Sequence, residues 1–177
     1  MNAQPALLIA GTHSGCGKTT VTLAVMAALA RRGVRVQPFK CGPDFIDPSL
    51  HRLVTGRVSR NLDVRMCGTD FVRRTFARHA PADGCSVVEG VMGLFDGDRG
   101  SAACLAKTLN LPVLLVVDVR SAAESVAAVV KGFDVGEHGA LHSVRFTDDA
   151  GEHTAQSRWL MDASGRSALL RRRFELT

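Results

Sequence analysis

A glycine-rich segment near the start of the chain, GTHSGCGKTT over residues 11–20, lies between a short apolar run and a helical pattern. The apolar run, Ala6 to Ala10, is bounded by Pro5 and Gly11 and is typical of a strand buried on both faces of a parallel sheet. From Thr19 to Arg31 apolar residues recur without a helix breaker. A strand, a glycine-rich loop and a helix in this order predict a phosphate-binding loop.

The loop is a variant of the strict pattern G-x-x-x-x-G-K-[ST], because the residue at its first position is Thr12 and the glycine stands one residue earlier. Its glycines still allow backbone N–H groups to surround phosphate oxygens. The lysine can reach the terminal phosphoryl group, and the threonine after it can bind Mg²⁺. The alternative is a glycine-rich turn with a chance lysine. That alternative does not account for the agreement of strand, loop and helix.

Eight loop residues are therefore predicted to contact ATP: Thr12, Ser14, Gly15, Cys16, Gly17, Lys18, Thr19 and Thr20. The side chains of His13 and Cys16 are expected to point to solvent rather than to act in catalysis.

Apolar segments and helical patterns alternate along the chain as far as Phe133. Further strands are predicted at 34–39, 86–89 and 113–117, and helices at 70–79, 101–109 and 122–133. This alternation predicts a doubly wound, mostly parallel α/β sheet of the P-loop type. After Phe133 glycines and polar residues replace the pattern. We expect one domain over residues 1–133, followed by a divergent or irregular tail over 134–177.

Carboxylates follow the second and third predicted strands, at the edge of the sheet where the phosphate loop also lies. Asp44 and Asp47 come just after Lys40, which ends the second strand region. Glu89 ends the third strand. Because Mg²⁺ takes oxygen ligands, the predicted ligands of this ion are Thr19, Asp44 and Glu89.

Other acidic residues leave alternatives open. Asp47 fits equally well as the N-terminal cap of a helix opening near Pro48. Asp96, in the glycine-rich loop after the third strand, fits contact with substrate or metal as well as a turn with Gly97. Asp118, after the fourth strand, is better explained as a cap. The catalytic candidates are Lys18, Asp44, Glu89 and Asp96.

Charge and cysteine content exclude several classes of protein. The net charge is +5, and residues 1–133 contain 16 of the 22 basic residues and 10 of the 17 acidic ones. The basic residues are scattered without interleaved aromatics, so we expect no nucleic-acid partner. Five cysteines without a C-x-x-C pair indicate neither a zinc site nor a disulfide framework. With no signal-peptide pattern and no long apolar stretch, we expect a cytoplasmic protein without a membrane span.

Five segments carry a resemblance to a known family. They are the loop over 10–20, PFKCGPDFIDP over 38–48, SRNLDVRM over 59–66, VEGVMGLFDG over 88–97, and residues 111–133 ending in VKGF. On these segments the chain resembles the cobyrinic acid a,c-diamide synthases. That family belongs with dethiobiotin synthetase and the MinD/ParA ATPases to one group of P-loop proteins. The resemblance covers roughly residues 5–133.

The resemblance implies a dethiobiotin synthetase-like fold and an ATP- and Mg²⁺-dependent ligase of cobalamin biosynthesis. Such enzymes phosphorylate the a and c carboxylates of cobyrinic or hydrogenobyrinic acid, and ammonia then displaces the phosphate to form the amides. By this similarity Lys18 would stabilise the transferring phosphoryl group, and Asp96 would contact substrate or metal. The Mg²⁺ ligands implied are again Thr19, Asp44 and Glu89. A basic domain suits a corrin polycarboxylate as substrate.

The sequence departs from the family's pattern in one respect. Family members continue into a glutamine amidotransferase domain, and no cysteine here lies on the strand-to-helix elbow that such a domain uses. We expect that domain, and glutaminase activity, to be absent from these residues. The partners considered are ammonia, a separate amidotransferase and a second copy of the chain.

Three alternatives stay open beside the ligase. A MinD/ParA-like ATPase switch usually has a lysine five residues before the P-loop lysine, where this chain has His13. A dethiobiotin synthetase-like enzyme would lack the diamide synthase segments over 38–48 and 88–97. A poorly folding fragment would expose unpaired strand edges.

Overall fold

A parallel sheet forms the centre of the fold. The structure is a computed structural model that describes residues 5–120, 122–133, 142–148 and 151–157. The strands lie in the order β3-β2-β4-β1-β5. Their bounds are β1 (Ala6–Gly11), β2 (Arg35–Cys41), β3 (Arg60–Leu62), β4 (Gly84–Glu89) and β5 (Val113–Val116). All four pairings are parallel, so the strands' C-terminal ends lie along one edge.

Helices connect the strands. They are α1 (Lys18–Arg31), α2 (Ile46–Thr55), α3 (Val64–Cys67), α4 (Thr69–His79), α5 (Ala102–Leu109) and α6 (Val126–Gly132). Asp63 caps α3 by accepting a hydrogen bond from the backbone N–H of Met66, and Ser101 caps α5 through that of Cys104. Since both caps stand directly before their helices, local sequence fixes where these helices begin.

The apolar residues of the strands alternate between two faces, and a separate cluster of buried residues covers each face. Leu8 and Ala10 of β1 point to the cluster that includes residues of α4 and α5, whereas Ile9 points to the cluster that includes Met26 of α1. This is the alternation that a strand covered on both sides requires. The two clusters hold the central strands β1 and β4 away from water and so fix the sheet on which the site is built.

The predicted fold class is confirmed: the chain forms an α/β sheet with parallel strands. The strand and helix predictions up to residue 133 correspond to β1, β2, β4, β5, α1, α4, α5 and α6. Helix α2 was anticipated only in the alternative for Asp47, as a helix opening near Pro48, and the short elements β3 and α3 were not predicted. Strand β3 has only three residues, and α3 has only four, so neither is long enough to show a periodic pattern.

The region after Phe133, which was predicted to be a divergent or irregular tail, contains an antiparallel hairpin of β6 (His142–Asp148) and β7 (Gly151–Ser157). The other residues of the proposed tail over 134–177 lie outside the described residues. These two strands were not predicted because their sequences, HSVRFTD and GEHTAQS, lack a strong apolar pattern. In the part of the chain that the structure describes, every helix is too short or too polar to cross a bilayer.

Candidate functional site

The glycine-rich loop leaves β1 and curls into the N-terminus of α1. Gly15 and Gly17 adopt positive φ angles of 81° and 97°, a conformation that L side chains rarely take. Gly17 is the N-cap of α1, and within the described residues no side chain caps that end of the helix. The first backbone N–H groups of α1 therefore remain available to an anion, which the helix dipole also favours.

Lys18 folds back over this loop. Its side chain is buried, and Nζ donates a hydrogen bond to the carbonyl oxygen of His13 at 3.3 Å. The prediction that the His13 side chain faces solvent agrees with its exposure. The same prediction for Cys16 was wrong, because its side chain is buried in the cluster on the α1 side of the sheet. The small thiol packs close to Gly11 and supports the loop from beneath.

The remaining predicted nucleotide contacts lie around the same loop. The backbone N–H of Thr12 donates to the carbonyl oxygen of Val116 in β5 at 3.1 Å, which ties the loop to the sheet. Ser14 and Thr20 are exposed on the loop and on the first turn of α1. All eight predicted nucleotide contacts thus lie in the loop or in the first turn of α1.

Glu89, the last residue of β4, is fully buried next to the loop. The hydroxyl of Thr19 donates a hydrogen bond to Glu89 Oε1 at 2.5 Å. The parallel register places Lys40 of β2 beside Glu89, and Lys40 Nζ lies 3.3 Å from the same oxygen. The structure thus brings together two of the three predicted metal ligands.

Lys40 is almost entirely buried, and oxygen atoms that accept hydrogen bonds surround its ammonium group. Besides Glu89, its Nζ contacts Asp47 Oδ2 at 2.6 Å and the carbonyl oxygen of Gly90 at 3.1 Å. Asp44 Oδ2 lies 3.7 Å away, at the outer side of this group. One ammonium group therefore meets three carboxylates at the edge of the sheet where the strands end.

Two buried residues complete the surroundings of Glu89 and were missed in the sequence. His51 of α2 contacts Glu89 Oε2 through Nε2 at 2.6 Å, and its Nδ1 lies 3.0 Å from the hydroxyl of Ser59. Both side chains are buried. The available clue was the spacing of four residues between Asp47 and His51, which places both side chains on one face of a helix.

The surroundings shift the pKa values of this cluster. Burial by itself raises the pKa of Glu89, but the hydrogen bond from His51, the charge of Lys40 and the hydrogen bond from Thr19 together hold it below its ordinary value. Burial by itself lowers the pKa of Lys40, but Glu89 and Asp47 raise it above its ordinary value. Both groups are therefore charged at neutral pH.

The other acidic candidates lie at the rim, engaged by local hydrogen bonds. Asp44 Oδ1 accepts from the backbone N–H of Ile46 at 2.8 Å, just before α2. Asp96 is exposed, and its Oδ2 accepts from the backbone N–H of Gly93 at 2.8 Å, closing a turn. Asp47 lies within the first turn of α2 and binds Lys40. The alternative that Asp47 caps this helix was wrong, because the helix begins at Ile46 and its N-cap is Phe45.

Asp118 closes a local turn rather than joining the buried cluster. It accepts hydrogen bonds from the backbone and side chain of Arg120, and these contacts lower its pKa to about 2. His13, Asp118, Arg120 and Ala122 line a cavity of about 450 Å³ beside the phosphate loop.

The donor set at Thr19 and Glu89 fits a magnesium ion. Among the described residues no three His, Cys, Asp or Glu side chains form a dedicated metal cage. Mg²⁺ does not need one, since it keeps several waters and binds through one or two protein oxygens together with substrate phosphates. The hydroxyl of Thr19 and the carboxylate of Glu89 are adjacent oxygens of this kind.

The parallel sheet with its strand order, the glycine-rich loop and the uncapped N-terminus of α1 define a P-loop nucleotide-binding domain. The sequence model of the CobQ/CobB/MinD/ParA nucleotide binding domain matches residues 7–150. The chain belongs to this family. The match extends beyond residue 133, where the resemblance was expected to stop.

Curated relatives carry more specific names. A cobyrinate a,c-diamide synthase of Synechococcus sp. is 51% identical over 133 residues, which cover 72% of this chain and 29% of the relative. A hydrogenobyrinate a,c-diamide synthase of Streptomyces coelicolor is 53% identical over 137 residues, covering 75% of this chain and 28% of the relative. A cobyrinate a,c-diamide synthase of Thermoplasma volcanium is 44% identical over 152 residues, covering 84% and 34%.

These relatives confirm the predicted resemblance to the diamide synthases. The chain spans about 30% of the length of the curated relatives that it matches.

Proposed function

We propose that this chain is the ATP-binding part of a cobyrinate or hydrogenobyrinate a,c-diamide synthase. It would bind ATP with Mg²⁺ at the phosphate loop and activate carboxylates of the corrin substrate by phosphorylation. In this reaction a carboxylate oxygen attacks the γ-phosphorus and ADP leaves. Ammonia then displaces phosphate from the acyl phosphate to give the amide. Both the family match and the names of the relatives support the proposal.

The observation that carries the proposal is the hydrogen bond between the Thr19 hydroxyl and Glu89 Oε1. It joins the residue after the P-loop lysine to the carboxylate that ends β4. P-loop enzymes place the metal ion of a nucleotide between such a hydroxyl and a carboxylate at a strand end. When bound, Mg²⁺ would neutralise charge on the β- and γ-phosphates.

The charged residues of the loop fit phosphoryl transfer. Lys18 Nζ rests on the carbonyl oxygen of His13, so a modest movement of a flexible side chain would carry it to a terminal phosphate. The N-terminus of α1 adds backbone donors. Phosphoryl transfer depends mainly on positioning and charge stabilisation, and both are available here without a nucleophile from the protein.

The rim of the site offers apolar contacts to a substrate. Phe45 is 84% exposed and Ile46 67% exposed, between Asp44 and Asp47 at the start of α2. A corrin ring has a broad apolar face, which these exposed apolar residues would suit. The candidates Asp44 and Asp96 would contact substrate or metal from this rim.

The amine donor would be ammonia, supplied either free or by an amidotransferase. An amidotransferase would be either a separate partner or a further part of a longer protein. The curated relatives extend well beyond the matched region.

Calorimetry on the purified chain would test nucleotide binding. We expect the wild type to bind ATP with Mg²⁺, and Lys18→Ala to bind at least ten times more weakly because the phosphates lose a cation. Lys107→Ala, an exposed lysine of α5, is the matched control and should leave binding unchanged.

The second step of the experiment adds cobyrinic acid and an ammonium salt and measures ADP. Release of ADP that requires the corrin, with amide detected in the product by mass spectrometry, supports the ligase. A folded wild type that fails to bind ATP, or one that hydrolyses ATP at the same rate with and without corrin, would count against it.

A further inference from the structure

We infer that His51 is a positioning residue for Glu89. Together with Ser59 it would hold the carboxylate in the orientation that presents one oxygen to Thr19 and to a nucleotide-bound Mg²⁺. This inference rests on the proposed function, since it assigns a role in the same site to residues that do not touch the nucleotide loop themselves.

The two oxygens of Glu89 have different partners. Oε2 faces His51, 2.6 Å from Nε2, while Oε1 faces the Thr19 hydroxyl at 2.5 Å and Lys40 Nζ at 3.3 Å. An ionised carboxylate carries no proton and can only accept, so His51 Nε2 carries the hydrogen and donates it. Rotation of the carboxylate would break this bond. The oxygen on the side of the phosphate loop is therefore fixed by a contact on the opposite side.

His51 is itself held in place. Its ring is completely buried, its Nδ1 lies 3.0 Å from Ser59 Oγ, and the hydroxyl of Thr55 donates to its carbonyl oxygen at 2.8 Å. Ser59 lies just before β3 and is buried as well. A ring fixed at both nitrogens has one orientation, and that orientation is transmitted to the carboxylate of Glu89.

The polar residues on one face of α2 match the charged residues of the sheet. Asp47, one turn earlier on the same helix, contacts Lys40, and Lys40 and Glu89 are paired neighbours on β2 and β4. One face of α2 therefore places an acid opposite the lysine and an imidazole opposite the glutamate. This arrangement has the form of the contacts that orient metal ligands, whose loss typically lowers metal affinity about 10- to 100-fold.

Calorimetric titration with Mg²⁺ at a fixed, saturating ADP concentration would test the role. We expect His51→Ala to require at least tenfold more Mg²⁺ than the wild type. Its affinity for ADP in EDTA should stay within about threefold, because the backbone donors of the loop and Lys18 are untouched. His51→Gln keeps an N–H donor at a similar distance and should recover most of the Mg²⁺ affinity. Ser59→Ala should show a smaller loss than His51→Ala.

The outcomes separate the inference from the proposed function. If the wild type shows no Mg²⁺-dependent nucleotide binding, both are overturned. If the wild type binds and His51→Ala matches it, only the positioning role fails. It also fails if ADP affinity in EDTA drops in parallel, or if His51→Gln is no better than His51→Ala.

Should His51→Ala prove unfolded by circular dichroism, the other two variants decide the matter. A wild-type Mg²⁺ requirement in Ser59→Ala, or a His51→Gln variant that folds without Mg²⁺-dependent binding, overturns the role. Retained binding in His51→Gln together with a raised requirement in Ser59→Ala supports it.

Discussion

Lys40 Nζ lies 3.3 Å from Glu89 Oε1, and the two residues are directly paired across neighbouring parallel strands. The register of β2 and β4 therefore places the buried charges side by side before any helix is added. Buried charges are costly unless they are paired and hydrogen bonded. Here the sheet provides the pairing, and α2 provides the additional acid and imidazole. The charged cluster is thus a direct result of the strand arrangement.

Replacing Lys40 tests how much of the fold depends on this pair. We expect Lys40→Met to lower the free energy of unfolding by about 3 kcal/mol, because breaking a buried ion pair leaves the opposite charge uncompensated. Urea unfolding at pH 7, followed by circular dichroism, would measure the change. Lys107→Met replaces an exposed lysine and should change stability by less than about 0.5 kcal/mol. Equal stability of the two variants would show that the buried pair contributes nothing.

The pKa of Glu89 predicts an acid-sensitive contribution to stability. Burial alone would raise that pKa, but the hydrogen bonds and the charge around the carboxylate lower it below the ordinary value of 4.5. The contribution is therefore present above pH 4.5 and is lost as pH falls through the lower, folded-state value. The measurement is the free energy of unfolding of the wild type and of Glu89→Gln between pH 7 and pH 3. Their difference should be largest near neutral pH and should shrink on acidification.

Lys40 gives the opposite sign at alkaline pH. Its raised pKa means that its contribution is complete below the ordinary value of 10.5 and declines as pH rises through the folded-state value. Lys40→Met should therefore lose less stability than the wild type as pH rises above 10.5. A stability difference that stays constant at both ends of the pH range would contradict the assignment of the shifts to these two residues.

The sequence was sufficient for the fold class and for the phosphate loop. Both rest on local patterns: continuous apolar strands, a helix with a clear end, and glycines at the turn between them. The position of Glu89 was also predictable, because a carboxylate that ends a buried strand must lie at the same edge as the loop. What these features share is that neighbours in sequence, or the common direction of parallel strands, determine them.

The role of His51 could not be read in the same way. Its contact with Glu89 joins residues 38 positions apart, and it depends on how α2 packs against the sheet. The buried position of Cys16 depends likewise on the path of the loop over the residues beneath it. Asp44 makes a local contact just before α2, where one of its carboxylate oxygens accepts a hydrogen bond from the backbone N–H of Ile46.

Gly11 should tolerate no side chain. A Cβ atom at this position would lie 2.2 Å from Cys16 Sγ and 2.9 Å from Lys18 Cγ, well below contact distance. We expect Gly11→Ala to cost about 1–3 kcal/mol of stability by overpacking. ATP affinity should also fall, because Lys18 must move. Thermal unfolding and calorimetry would measure the two effects.

Two variants serve as comparisons for Gly11→Ala. Cys16→Ala added to it removes the closest clashing atom and should recover part of the stability in a double-mutant cycle. Gly132→Ala places a methyl group in open space within α6 and should raise stability by about 0.5 kcal/mol. If Gly11→Ala behaved like Gly132→Ala, the close packing under the phosphate loop would be refuted.

The five cysteines should react with a thiol reagent at very different rates. Cys67 is exposed, whereas Cys16, Cys41 and Cys85 are buried. Burial raises the pKa of Cys41 to about 12 and also raises that of Cys85, so the reactive thiolate is scarce at neutral pH. We expect Cys67 to be labelled first at pH 8, with Cys41 and Cys85 labelled only in denaturant.

Time-resolved mass spectrometry of tryptic peptides would give the order of labelling, and Cys67→Ser should abolish the fast phase. Rapid labelling of Cys41 in the native protein would mean that the end of β2 opens readily, and the buried cluster of Lys40 and Glu89 next to it could not then be a rigid support for the site.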